Sequence, residues 1–268
     1  MTARETSVHR QGAMRFIFPV FLAVFICSWV GTHGQITGYL LANESTCDSD
    51  CQTMTHAIRK QYSVSWARRH TGIIKAYREA QCEVCVEIGV ARGELSHALL
   101  KHLPHIKEYH AVDPFVGGYD KGDQMSELLE SMNGSIPWGQ AVLYAQRGFG
   151  DKFRMHQGFS HDIVGHFPNN SVDCVFIDGD HTFKGAQLDI QLWTRVLKTG
   201  GRYFFDDYST MFMGVVYAVD GFFDLNHIPL IQINKQNNYM GVKPAGPLIL
   251  DYPCVCGGKN NENCRECK

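Results

Sequence analysis

Four aspartates close two segments whose composition predicts strands: Asp178 and Asp180 in Phe176-Ile177-Asp178-Gly179-Asp180-His181, and Asp206-Asp207 directly after Phe204-Phe205. One helical stretch lies between them, ended by Gly200-Gly201. In a right-handed β-α-β crossover two such strands run parallel, and their carboxyl ends point into the same crevice. Concentrated negative charge there calls for a cation, and Mg²⁺ favours one or two carboxylates supplemented by substrate oxygens and water. Such an ion lowers the pKa of a hydroxyl bound to it. Asp180 and His181 are the neighbouring groups able to take the released proton, and histidine has a convenient reference pKa of about 6.5. Asp and Gly also end strands merely because they make turns. Four acids at two strand ends exceed that requirement.

A second clue is Val86-Glu87-Ile88-Gly89-Val90-Ala91-Arg92-Gly93. A strand followed by small residues and a helix lets the backbone approach a nucleoside-bearing ligand closely. Asp113, twenty positions after Gly93, ends the next predicted strand. A carboxylate there can accept hydrogen bonds from both ribose hydroxyls. A dinucleotide fingerprint would need glycines where Ala91 and Glu94 stand, so the pyrophosphate cradle is missing.

The elements that must position these groups begin after a polar stretch near Asn43 to Asp50, with helical sequence up to Ala80. Cys82 to Ile88 predicts a buried strand, Glu94 to His102 a helix, and His110 to Val112 a strand ending at Asp113. The connection Phe115 to Asp151 contains Gly117-Gly118, Trp138 and a short helix near Gln124 to Met132. Connections of that length are often lids or binding loops, so acceptor specificity is expected there. Arg154 to His156 resumes the sheet, Ser160 is expected to cap a helix, and Val172 to Ile177 and Tyr203 to Phe205 are the next strands. Ala186, Ile190, Trp193 and Leu197, spaced by four, three and four, mark one buried helical face, which makes Trp193 a core residue. Ile228 to Ile233 and Tyr239 to Val242 predict a hairpin.

At 268 residues and 44% hydrophobic the chain has material for one substantial core. Twenty-five basic against twenty-seven acidic residues, without a Lys/Arg block, excludes a nucleic-acid footprint. Arg4, Arg10 and Arg15 precede the apolar run Phe16 to Val30, so residues 1–34 read as a signal peptide or signal anchor. Everything beyond would then be luminal, as a single-pass type II membrane protein held by that segment, or secreted. Residues 35–80 form a stem with helices, 81–250 the main domain, and 251–268 a cysteine-rich tail. The ten cysteines include Cys27, the neighbours Cys47 with Cys51 and Cys82 with Cys85, and Cys254, Cys256, Cys264 and Cys267 in the tail. Disulfides are preferred, with pairing open, and zinc held by the tail thiolates is the alternative. Asn43, Asn133 and Asn169 open glycosylation sequons.

The segments Glu87 to Gly93, Asp113, Gly158-Phe159-Ser160, Phe176 to His181 and Leu197 to Gly201 resemble class I S-adenosylmethionine-dependent methyltransferases, over roughly residues 80 to 245. Asp178-Gly179-Asp180-His181 with Asp206-Asp207 resembles the metal-dependent O-methyltransferase branch that includes catechol and macrolide-sugar enzymes. Ala91 stands where the family's first motif usually has its middle glycine. The resemblance implies an α/β, Rossmann-like, doubly wound and mostly parallel seven-stranded sheet with a C-terminal antiparallel hairpin. It implies that Glu87, Gly89, Ala91, Gly93 and Asp178 shape the cofactor pocket, that Asp113 holds the ribose, and that Phe159 and Ser160 lie beside the adenine. It further implies Asp178, Asp206 and Asp207 as ligands of a divalent cation, Mg²⁺ first, with Asp180 as base ahead of His181. The acceptor expected is a hydroxyl of a small molecule or glycan. The rival readings are a non-catalytic binding module on the same sheet and a metal-dependent hydroxylase of related fold.

Overall fold

A computed structural model describes residues 36–41, 47–62, 66–118, 124–131, 138–256 and 259–260. The segment 1–34 expected to be a signal peptide or anchor, the sequons at Asn43 and Asn133, and Cys264 and Cys267 lie outside the described residues. The strands of the main sheet are β1 (Leu40–Leu41), β2 (Val84–Ile88), β3 (Glu108–Asp113), β4 (Phe153–Gln157), β5 (Val172–Ile177), β6 (Leu197–Phe205), β7 (Ile231–Gln232) and β8 (Tyr239–Val242). Their order is β1-β4-β3-β2-β5-β6-β8-β7. The ladders from β4 to β6 are parallel, and β8 pairs antiparallel with both β6 and β7, which is the expected hairpin. The sheet has eight strands instead of seven because β1, two residues long, adds antiparallel to the β4 edge. Two residues carry no readable periodicity.

Buried on both faces, the central strands read as near-continuous apolar runs such as Val-Cys-Val-Glu-Ile in β2, broken there by Glu87. Their side chains alternate between two cores. Cys85, Tyr109, Ala111, Phe153, Met155, Cys174, Phe176 and Phe204 face one side. Val86, Ile88, Val112, Val175, Ile177, Tyr203 and Phe205 face the other. The first core is covered by α1 (Ser49–Gln61), α2 (Trp66–Ala80), α3 (Glu94–His102) and α5 (Trp138–Ala145). The second lies under α6 (Ser160–Ile163), α7 (Phe183–Val196) and α8 (Met213–Leu225). Trp193 is 0% exposed and packs edge-on against Phe167, so Ala186, Ile190 and Trp193 form the buried face of α7 that their spacing predicts, while Leu197 already opens β6.

The connection from Phe115 to Asp151 is not a lid along its whole length. It holds α4 (Gln124–Ser131), and α5 buries Trp138, Ala141, Val142 and Leu143 in the core. Arg59 and Thr55 of α1 donate to α5 carbonyls, at 3.1 Å to Ala145 and 3.3 Å to Ala141, which fixes α5 in place.

Cys47 bonds Cys51 and Cys82 bonds Cys174, while Cys85 is a buried free thiol, so the neighbours Cys82 and Cys85 are not partners. Cys254 is also disulfide-bonded. An oxidised sulfur is not a thiolate, so the tail does not present four ligands for zinc. Among the described residues no helix is long and apolar enough to cross a membrane. Asn169 is exposed in the turn before β5.

Candidate functional site

Ile177 of β5 is level with Phe205 of β6, so Asp178 and Asp206 leave the sheet side by side. Their amides extend the ladder, Asp178 N–H to Ile88 O at 2.9 Å and Asp206 N–H to Ile177 O at 3.2 Å. Asp207 then takes a left-handed backbone with φ +54°, and its amide donates to Asp206 Oδ1 at 2.8 Å. This turn aims the Asp207 carboxylate at Asp178 and His181. Ligand atoms of Asp178, His181 and Asp207 all lie within 4.8 Å of one another, with His181 Nε2 3.1 Å from Asp207 Oδ2. The Phe212 ring lies against the imidazole at 4.3 Å between centroids.

Asp206 is not in this group. It is 5% exposed, and its Oδ1 accepts from Asn238 Nδ2 at 2.7 Å as well as from the Asp207 amide. Successive side chains at a strand end point to opposite sides. One member of the Asp206-Asp207 pair therefore faces the cluster and the other faces the hairpin. The set brought together is Asp178, His181 and Asp207, with His181 in the place that the resemblance gives Asp206. Two carboxylates and an imidazole are a donor set that fits a divalent cation.

Beside this group, at the carboxyl ends of β2, β3 and β5, lies a cavity of about 490 Å³ lined in part by Gly89, Asp113, Phe159, Ser160, Gly179 and Asp180. It sits where the strand order reverses, the usual ligand crevice of an open α/β sheet. Gly89 has φ +81°, and a Cβ there would lie 1.8 Å from the Asp178 carbonyl oxygen, so only glycine lets the two strand tips pass. Asp113 fixes the loop after β2. Its Oδ2 accepts from the amides of Val90 at 2.7 Å and Ala91 at 3.1 Å, and its Oδ1 from Phe115 at 2.7 Å. Ala91 has φ +49°, and its carbonyl takes the Trp138 indole N–H at 2.8 Å, while the Gly93 carbonyl accepts from Gln146 at 2.8 Å. Ala91 and Gly93 thus shape the loop from behind.

Glu87 faces the first core and accepts the Tyr109 hydroxyl at 3.0 Å. Burial drives its carboxyl well above the ordinary range, with Asp113 and Glu94 adding to the rise and the Tyr109 hydrogen bond opposing it. Phe159 is 41% exposed and stacks on His161, both on the cavity wall. Ser160 does not cap α6, whose cap is Phe159; its hydroxyl donates to the Asp189 carboxylate. Asp189 is 5% exposed, and burial pushes its carboxyl up to about 7 against the lowering effect of that hydrogen bond. Asp180 lies outside the cluster: its Oδ1 accepts the Thr182 amide at 2.7 Å and its carboxylate packs against Gly185 at the start of α7.

Sequence reasoning misses Asp189 and Asn238. Asp189 falls three positions after Ala186 on the apolar stripe of α7, and an acid on a buried stripe is the signal that finds it. Asn238 belongs to a polar stretch and carries no comparable signal.

Residues 86–208 match a family model described as a methyltransferase domain. Among solved structures, the chain is similar to the O-methyltransferase NovP, with 18% identity over 64% of this chain and 76% of that one at a TM-score of 0.48. It is also similar to cofactor-bound Rv0187 from MTB, with 12% identity over 74% and 92% at 0.49. A methyltransferase from Geobacter sulfurreducens aligns with 14% identity over 75% and 91% at 0.44. No curated protein matches the chain.

Proposed function

We propose that the chain, whose residues 86–208 match a methyltransferase-domain model, is an S-adenosylmethionine-dependent, divalent-cation-assisted O-methyltransferase acting on a hydroxyl of a small molecule or glycan. The observation that carries this reading is the meeting of Asp178, His181 and Asp207 within 4.8 Å, one residue away from Gly179 on the cavity wall. These three residues would hold a cation of the Mg²⁺ or Mn²⁺ class, which supplies Lewis-acid polarisation of a hydroxyl oxygen. S-adenosylmethionine supplies the electrophilic methyl group.

The chain's own residues contribute position and charge. Gly89 keeps the β2 tip open to a nucleoside, and Asp113 holds the loop from Val90 to Ala91 while facing the ribose position. Phe159 and Ser160 form the wall assigned to the adenine. Asp180, fixed by the Thr182 amide on the same wall, is the carboxylate that receives the hydroxyl proton. His181 belongs to the cation-holding group in this reading and not to the proton path. Transfer of the methyl group needs little covalent help, so most acceleration comes from orientation and from charge stabilisation.

The disulfide between Cys82 and Cys174, in the centre of the domain, supports an oxidising compartment, with residues 1–34 as signal peptide or membrane anchor. A glycosidase shift at Asn169 on protein expressed in a secretory host tests that location; unshifted cytosolic protein rejects it. Calorimetric titration with S-adenosylmethionine, with and without Mg²⁺, tests the chemistry. Binding that is indifferent to Mg²⁺ removes the cation from the mechanism, and absence of cofactor binding removes the transferase.

A further inference from the structure

Asn238 is 0% exposed, and its side-chain amide is used at both ends. Its Nδ2 donates to Asp206 Oδ1 at 2.7 Å, and its Oδ1 accepts from Asn234 Nδ2 at 2.7 Å. The loop that presents it is tied down by Ile233 N–H to Asn238 O at 2.9 Å, and Asn234 Oδ1 closes the turn by accepting the Gln236 amide at 2.9 Å. A second tie runs from Tyr208 N–H to Asn237 O at 3.3 Å. The β7-β8 hairpin therefore grips the β6 tip immediately around Asp207.

That grip matters because Asp207 sits in a backbone region unfavourable to a side chain with a Cβ, at φ +54°. A residue held there persists only where its surroundings over-determine the conformation. Asp206 Oδ1 supplies the restraint by accepting the Asp207 amide, and Asn238 keeps that oxygen in place. Removing Asn238 takes away a buried donor that orients this oxygen, which weakens the restraint on Asp207 and so the placement of its carboxylate beside Asp178 and His181.

We propose that Asn238 is a positioning residue for the cation site, acting through Asp206 to hold Asp207 in its left-handed conformation. The inference rests on the cation-binding reading above. Outer partners of metal ligands change metal affinity by about 10–100-fold when removed. That is the size of effect expected here.

The test is Mn²⁺ titrated into the full chain and followed by electron paramagnetic resonance, with S-adenosylhomocysteine affinity measured in parallel by calorimetry. Asn238→Ala is expected to weaken Mn²⁺ by about 10–100-fold and to alter the spectrum of the bound ion, leaving S-adenosylhomocysteine affinity within about threefold. Asn234→Ala, which keeps Asn238 but removes its anchor, is expected to weaken Mn²⁺ by about tenfold and guards against an unfolded first variant. Wild-type Mn²⁺ affinity and spectrum in both variants overturn the proposal while the cation reading stands. Equal loss of Mn²⁺ and S-adenosylhomocysteine in both variants also overturns it, since that marks general damage. A wild-type chain that binds no Mn²⁺, or an Asp207→Asn variant that binds it unchanged, brings down the cation reading and this proposal together.

Discussion

Asp189 offers a sharp test of the physical account because its effect on stability changes with pH in a direction opposite to that of most carboxylates. Burial raises its carboxyl to about 7 from an ordinary 3.8. Between those values the folded chain holds a proton that the unfolded chain has released. Stability from this group is therefore complete below about pH 4 and is lost as pH rises towards 7. The gap of about three pH units corresponds to about 4 kcal/mol, because each unit is worth about 1.4 kcal/mol. Asp189→Asn keeps the shape and an acceptor for the Ser160 hydroxyl but cannot ionise. At pH 8 the variant should be more stable than the wild type by up to about 4 kcal/mol, and at pH 4.5 by only about 1 kcal/mol. For a domain of this size that amounts to about 8–16 °C in melting temperature at pH 8, at about 2–4 °C per kcal/mol. Urea denaturation of both proteins across pH 4.5 to 8 gives the comparison. A difference that stays flat over that range refutes the reasoning, since it would mean Asp189 keeps an ordinary carboxyl in the folded chain.

Asp207→Asn should lower turnover and Mg²⁺ affinity by at least about tenfold while S-adenosylmethionine affinity stays near wild type; calorimetry and initial rates separate the two quantities. Opening the Cys82–Cys174 bridge by paired replacement with alanine should cost about 4 kcal/mol, because it releases a loop of 92 residues in the unfolded chain. Urea midpoints of the oxidised and paired-alanine proteins measure it, and coincident midpoints count against it. His110 Nδ1 and His156 Nε2 lie 2.8 Å apart in the core beside Arg154 and Glu108, and burial lowers both side chains below the ordinary histidine value. A depressed histidine contributes stability above about pH 6.5 that is lost as pH falls, so His156→Gln should have a shallower acid-side slope than the wild type in the same urea series.

Much of the frame is legible in the chain because it follows from period and spacing. The central strands are largely apolar runs, and the helix Glu94–His102 and the buried face of α7 repeat at helical intervals. The neighbouring tips of β5 and β6 follow from the crossover rule. What escapes is direction and distance. Whether Asp206 or Asp207 faces Asp178 depends on one backbone torsion at Asp207, which two identical residues in succession do not encode. His181 enters the cluster because the chain turns at Gly179-Asp180 before α7, while Asp180 is drawn aside by the Thr182 amide. Asn238 meets Asp206 across 32 positions, and Cys82 finds Cys174 across 92 in preference to Cys85 three residues away. The register between β2 and β5 does not announce that pairing, because it sets Cys174 level with Cys85.

The same register sets Cys85 directly across the ladder from Cys174. A third sulfur next to a bridge is ordinarily an invitation to reshuffle, since a thiolate attacks a neighbouring disulfide and ejects the other partner. Here the thiol is shut in the core, burial holds its pKa well above the usual value, and its hydrogen points at the Cys82 carbonyl 3.8 Å away. The sulfur stays protonated and is a poor attacker. Folding thus closes a kinetic latch: rival linkages through Cys85 are open only to chains that have not yet packed.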